Sequence, residues 1–159
     1  MIAGSGEHQQ GDHVVSGDYR ARSLVVDLVA GDPIVVAPDA SLAVVARTLE
    51  DYGIGGMPVV DGGRLVGVVS RTDLVRLWAS PDPSLDWRSL AVREVMTQPA
   101  VTVRGSATLQ EAAHVMADRN VARLVVVGED ADVALGVISD TDLVRAIGRE
   151  PATRATRDP

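Results

Sequence analysis

The heptapeptide Ser70-Arg71-Thr72-Asp73-Leu74-Val75-Arg76 returns, with one substitution, as Ser139-Asp140-Thr141-Asp142-Leu143-Val144-Arg145. A repeated segment marks an internal duplication, which is read before any element is assigned because overlooking it misplaces the whole fold. Each copy follows an apolar run, Leu65 to Val69 and Ala134 to Ile138. Each opens on a serine and holds an aspartate in what would be a first helical turn, both helix-start signals. The two copies are therefore read as a strand running into a helix.

Outward from these junctions the halves keep pace. Leu42, Val45, Ala46 and Leu49 match Leu109, Ala112, Ala113 and Met116 at a period of about 67 residues, each set spaced i, i+3, i+4, i+7. That spacing is the apolar stripe of an amphipathic helix. Ser41 stands at the start of the first helix, and Thr108 with Glu111 has capping-box spacing at the start of the second. Short strands follow at Met57 to Val60 and Leu124 to Val127, and Gly62-Gly63 supplies the positive φ values of a tight hairpin turn. The second turn is two residues longer. Ile34 to Val36 and Val101 to Val103 are expected as one further strand apiece, each preceded by a proline and a short apolar helix ending near Ala30 or Met96. Each repeat is thus β-α-β-β-α, and the fold class α/β (α+β). Pro81-Asp82-Pro83-Ser84 interrupts helix and strand alike and marks a linker. The expected organisation is a mobile tail over 1–21, repeats over 22–80 and 89–149 with a linker at 81–88, and a second tail over 150–159.

Composition removes several kinds of chemistry. With 159 residues, 46% hydrophobic and 23% charged, the chain has material for one compact core or two small, mutually dependent ones. A net charge of −7 repels phosphate backbones and anionic membranes, so neither nucleic acid nor membrane is an expected partner. The apolar runs are far too short to cross a bilayer and the first residues carry no secretory pattern, so a cytoplasmic location is expected. Cysteine is absent and all fifteen basic residues are arginine, which removes disulfides, thiolate chemistry, Schiff-base lysines and a Walker A loop. His8 and His13 lie in the polar tail and His114 on a solvated helix face, a scatter unlike metal-ligand spacing. No metal site, required cofactor or enzymatic centre is expected.

Two β-α-β-β-α units, each closing in Gly-apolar-apolar-Ser-x-Thr-Asp-Leu, resemble a tandem CBS-domain pair, or Bateman module, over about Ser23 to Arg149. The resemblance implies two repeats packed about a pseudo-twofold axis, with two clefts for adenosyl ligands such as AMP, ADP, ATP or S-adenosylmethionine. It implies a stand-alone regulatory module acting through a protein partner or its own dimer; the alternative is an interaction scaffold without a nucleotide. It assigns the first cleft Asp73 for the ribose, Ser70, Thr72 and Arg123 for the phosphate, and Val68, Ala100, Val101 and Val121 for the adenine. The second receives Asp142, Ser139, Thr141, Ile34 and Ile54. Physical chemistry supports the helix starts independently. A first-turn aspartate is favoured by the helix dipole and offers acceptors for vicinal hydroxyls, while hydroxyls beside free N–H groups suit a phosphate. The same residues also serve as ordinary N-caps.

Arg123 aligns with Gly56, so the Asp142 cleft is expected to be poorer in phosphate donors and the Asp73 cleft to hold the ligand. Trp78 and Trp87 flank the linker, as core edge in preference to an exposed patch. A symmetric homodimer is expected. The tail is expected to be dispensable, the competing idea being a lid that uses Val14, Val15 and Tyr19.

Overall fold

The computed structural model describes residues 23–149; the tails expected over 1–21 and 150–159 lie outside them. Repeat 1 holds helix α1 (Leu42–Asp51), the hairpin β1 (Gly56–Asp61) and β2 (Arg64–Ser70), and helix α2 (Arg71–Trp78). Repeat 2 holds β3 (Thr102–Arg104), α3 (Leu109–Arg119), β4 (Arg123–Val127), β5 (Ala134–Ser139) and α4 (Asp140–Gly148). Strand β1 pairs antiparallel with β2, while β4 lies between parallel β3 and antiparallel β5. Gly62 and Gly63, at φ of 56° and 81°, turn the first hairpin, as a primed turn requires.

Two expectations need correction. Ile34 to Val36 is no strand: Val36 alone bridges Val59, because Pro38 and, on the facing strand, Pro58 bring no N–H to extend the pairing. Ala113 is exposed, and Leu109, Ala112 and Met116 with half-buried Val115 form the inner face of α3.

The sequence repeats do not coincide with the cores. A 3₁₀ turn at Val25–Leu28 opens repeat 1 and another at Val92–Glu94 opens repeat 2. Val25, fully buried, joins Val103, Leu109, Leu124 and Ile138 of repeat 2, tied there by Val25 N to Ala107 O at 2.8 Å. Val92, also fully buried, joins Val36, Leu42, Val45 and Met57 of repeat 1, tied by Val92 N to Ala40 O at 2.9 Å. Each repeat completes its partner's core. The hairpin ends add a polar stitch, since Arg64 pairs with Asp132 and Leu65 N donates to Asp132 O at 2.7 Å. The two extra residues of the second turn give Asp132 its reach across the pair.

Candidate functional site

Both repeated heptapeptides begin helices as expected, and both aspartates cap them. Asp73 Oδ2 accepts from Ser70 N at 2.8 Å and Ser70 Oγ at 3.0 Å. Asp142 Oδ2 accepts from Ser139 N at 2.8 Å and Ser139 Oγ at 2.9 Å, and Asp142 N donates back to Ser139 Oγ at 3.2 Å. Capping therefore occupies one carboxylate oxygen. The other, Oδ1, keeps its lone pairs for a ligand; in Asp142 it lies 3.9 Å from Arg145 Nη1. Each carboxylate thus caps its helix through one oxygen alone, which the residue types do not reveal. Thr72 and Thr141 are exposed beside their aspartates.

At the start of α4 opens a cavity of about 380 Å³ whose lining includes Ser139, Asp142, Thr141 and three arginines, Arg71, Arg123 and Arg145. A narrower slot of about 150 Å³, lined by residues 29–34 with Ile54 and Val137, shares Ile54, Gly56 and Val137 with it. The expectation for Arg123 is thereby reversed. Its side chain leaves β4 and lies along the backbone of repeat 1: a Cβ on Gly55 would sit 2.5 Å from Arg123 Nη2, and one on Gly56 2.8 Å from Arg123 Cδ. The bare glycines are what allow the arginine to cross, and they bring it into the cavity of Asp142 rather than confining it to the side of Asp73. The Asp142 cavity is accordingly lined by three arginines, where few charged side chains were expected.

Arg71 and Arg145 were not singled out by sequence reasoning. Arg145 was within reach, since a position three residues after Asp142 shares its helix face. Arg71 needed the packing of the two repeats. Three arginines against Asp140 and Asp142 make the cavity formally +1 in a chain of net charge −7. Among the described residues no carboxylate lies within 4.0 Å of Arg71 or Arg123.

The Asp73 side is built differently. Val68 and Thr97 exchange backbone hydrogen bonds at 3.0 and 2.9 Å, an isolated bridge across the strand edge. The equivalent residues on the other side, Ala30 and Val137, form no bridge, and there the slot stands open. Ala100 and Val101 line a separate cavity of about 350 Å³ with Val115, Asp118 and Arg119, while half-buried Val121 packs on the second core. His114 is exposed. Trp87 packs against the first core, but Trp78 is 68% exposed, so the core-edge expectation holds for one ring only. Among the described residues no group of three or more His, Cys, Asp or Glu is placed to hold a metal, and no helix is long and apolar enough to cross a membrane.

Known proteins share this repeat pattern and fold. The CBS domain model matches residues 25–80 and 92–149. An inosine-5′-monophosphate dehydrogenase of Korarchaeum cryptofilum is 33% identical over 139 residues, 87% of this chain and 26% of that protein. The uncharacterized protein MJ1225 of Methanocaldococcus jannaschii is 28% identical over 135 residues, 77% of this chain and 46% of the relative. The chain thus spans about a quarter to a half of these relatives' length, and in the dehydrogenase it matches only the CBS part. Among solved structures, the CBS domain pair of protein MJ0100, in complex with 5′-methylthioadenosine and S-adenosyl-L-methionine, superposes with a TM-score of 0.70 at 25% identity, covering 79% of this chain and 96% of that one. CBSX2 in complex with AMP gives a TM-score of 0.64 at 29% identity, covering 78% and 95%. Two matched repeats that complete each other's cores define the class, a tandem pair of regulatory modules, and the chain belongs to the CBS-domain family.

Proposed function

We propose that this CBS pair is a ligand-sensing module that binds a phosphorylated adenosine in the Asp142 cleft and passes its occupancy to a partner protein or to its own dimeric assembly. The observation behind this reading is the continuity of an apolar slot with an arginine-lined cavity at one helix start. Adenine enters between Ile34, Ile54 and Val137, an apolar lining typical of small-molecule sites. Ribose hydroxyls donate to Asp142 Oδ1, with Thr141 beside them. The phosphate meets Arg123, then Arg71 and Arg145, whose guanidinium forks match its oxygens, and the N-terminus of α4 adds favourable dipole charge. The positive cavity favours AMP, ADP or ATP over S-adenosylmethionine, whose sulfonium is itself a cation. The Asp73 cleft, with Ser70, Thr72 and Val68, is the weaker second site, its slot crossed by the Val68–Thr97 bridge, and Ala100 and Val101 face a cavity of their own.

Calorimetry and thermal melting with AMP, ADP, ATP and S-adenosylmethionine test the reading. Ligand at 100 times its Kd raises stability by about 2.7 kcal/mol, a clear increase in Tm. If none of the four binds at millimolar concentration, the pair is an interaction scaffold instead. The output by self-assembly rests on exposed apolar residues at matching places of α2 and α4: Val75 is 67% exposed, Val144 69% and Ile147 47%. A self-complementary contact of these faces gives a two-fold dimer, and light scattering that returns only the 16.7 kDa monomer at high micromolar concentration overturns it.

A further inference from the structure

Away from both clefts, the linker folds back on the end of α2 and encloses a pocket of different chemistry. We propose that Trp78, Trp87 and Asp82 form a binding site for a trimethylammonium head group. The two indole rings pack edge to face, centroids 5.3 Å apart at an interplanar angle of 69°, and beside that contact they line, with Leu77, Pro83 and Leu85, an open cavity of about 220 Å³. That is smaller than the ~300–1,000 Å³ of pockets that enclose drug-sized ligands, so the site takes a head group and not a nucleoside. Aromatic faces attract cations, tryptophan most strongly. The Trp87 ring already holds one, the Arg88 guanidinium 5.3 Å from its centroid, and Arg88 is not among the residues lining the cavity.

Asp82 supplies the opposite charge. Its Oδ1 accepts from Ser84 N at 2.9 Å and Ser84 Oγ at 2.6 Å, whereas Oδ2 has no donor among the described residues. The Ser84 hydroxyl, and then its backbone N–H, hold the carboxyl below its ordinary value of 3.8, so the anion persists. The class of cation follows from the remaining lining. An ammonium or guanidinium brings three or five donors that need acceptors, and of the side chains here Asp82 Oδ2 is open while Ser80 Oγ already accepts from Asp82 N at 3.4 Å. A quaternary ammonium needs none, and its methyl groups suit Leu77, Pro83 and Leu85. Trp78, at 68% exposure, leaves the pocket open to solvent.

Trp78 and Trp87 are the two tryptophans of the chain, so intrinsic emission reports the site directly. The probe is choline at constant ionic strength, against dimethylbutanol, its neutral isostere with carbon in place of nitrogen. Choline should change the emission saturably, and the isostere should require about tenfold more. Asp82→Asn and Trp78→Leu, both at exposed positions, should each weaken the choline response about tenfold, with Trp87 remaining as reporter. A parallel titration with a trimethyl-lysine peptide assigns the source of the head group: a free small molecule if choline binds tighter, a protein side chain if the peptide does. The site is overturned if the isostere matches choline, if the response survives Trp78→Leu, or if emission shifts on diluting the protein without ligand, which would mark Trp78 as a contact between copies.

Discussion

The clefts at Asp73 and Asp142 start from heptapeptides that differ at one residue, yet they are lined differently. At Asp142 an apolar slot is open and three arginines line the cavity beyond it. At Asp73 the strand edge is closed by the Val68–Thr97 bridge. Part of the difference is the one position at which the repeated motifs differ, which supplies Arg71 to the Asp142 cavity. The rest comes from Gly55 and Gly56 opposite Arg123, where the absence of side chains in one repeat makes room for a long one from the other. A duplicated fold keeps its helix caps in both copies, because caps stabilise each helix locally, while ligand chemistry drifts to whichever side the unduplicated residues favour.

Four substitutions sharpen or break this contrast, taken from the largest effect to the smallest. Asp142→Ala should lower AMP affinity on the order of 100-fold, through lost hydrogen bonds to a charged acceptor, whereas Asp73→Ala should leave the main site intact. The reverse result in calorimetry returns the ligand to the Asp73 cleft. Arg123→Ala should weaken AMP by about tenfold or more and adenosine hardly at all, because the charged bond is lost only with the phosphate. Equal losses for both ligands would mean that Arg123 only props the backbone. Ser139→Ala should cost about 1 kcal/mol in denaturant unfolding and Ser70→Ala less, within the ~0.5–2 kcal/mol range of N-caps. The ranking follows because Ser139 Oγ both donates and accepts in its cap, while Ser70 Oγ only donates, to Asp73 Oδ2. Arg64→Ala should change stability by less than about 1 kcal/mol, as exposed ion pairs do, and a larger loss would show that the hairpin stitch governs how the repeats dock.

Much of this fold is legible in the sequence because the duplication states each element twice. Helix stripes, hairpins and helix starts all fall close to where periodicity and Gly62-Gly63 put them. What escapes is whatever depends on contacts between the repeats. Val25 and Val92 read as ordinary apolar residues in short lead-in segments, and no local pattern tells that each belongs to the other repeat's core. Arg123 fails for a related reason: strand position gives the face on which a side chain leaves, but the cleft it enters depends on what stands opposite. The Val68–Thr97 bridge joins two irregular edges and has no periodic signature. Asp73 and Asp142, by contrast, were found because a helix start restricts residue types strongly enough to be seen, even though the capping of each helix through one oxygen alone was not.

The exchange of Val25 and Val92 also sets the order of events when the chain is made. Val25 leaves the ribosome early, and its neighbour Ile138 follows more than a hundred residues later, which at roughly 5–20 residues per second is a wait on the order of 6–20 s. Repeat 1 in turn cannot close its core until Val92 has emerged. The core of repeat 1, which lies within residues 36–96, can close at that point, whereas the core of repeat 2 spans Val25 to Ala146 and closes last. Until then Val25 remains an uncovered apolar surface on the nascent chain, open to the chaperones that attend it.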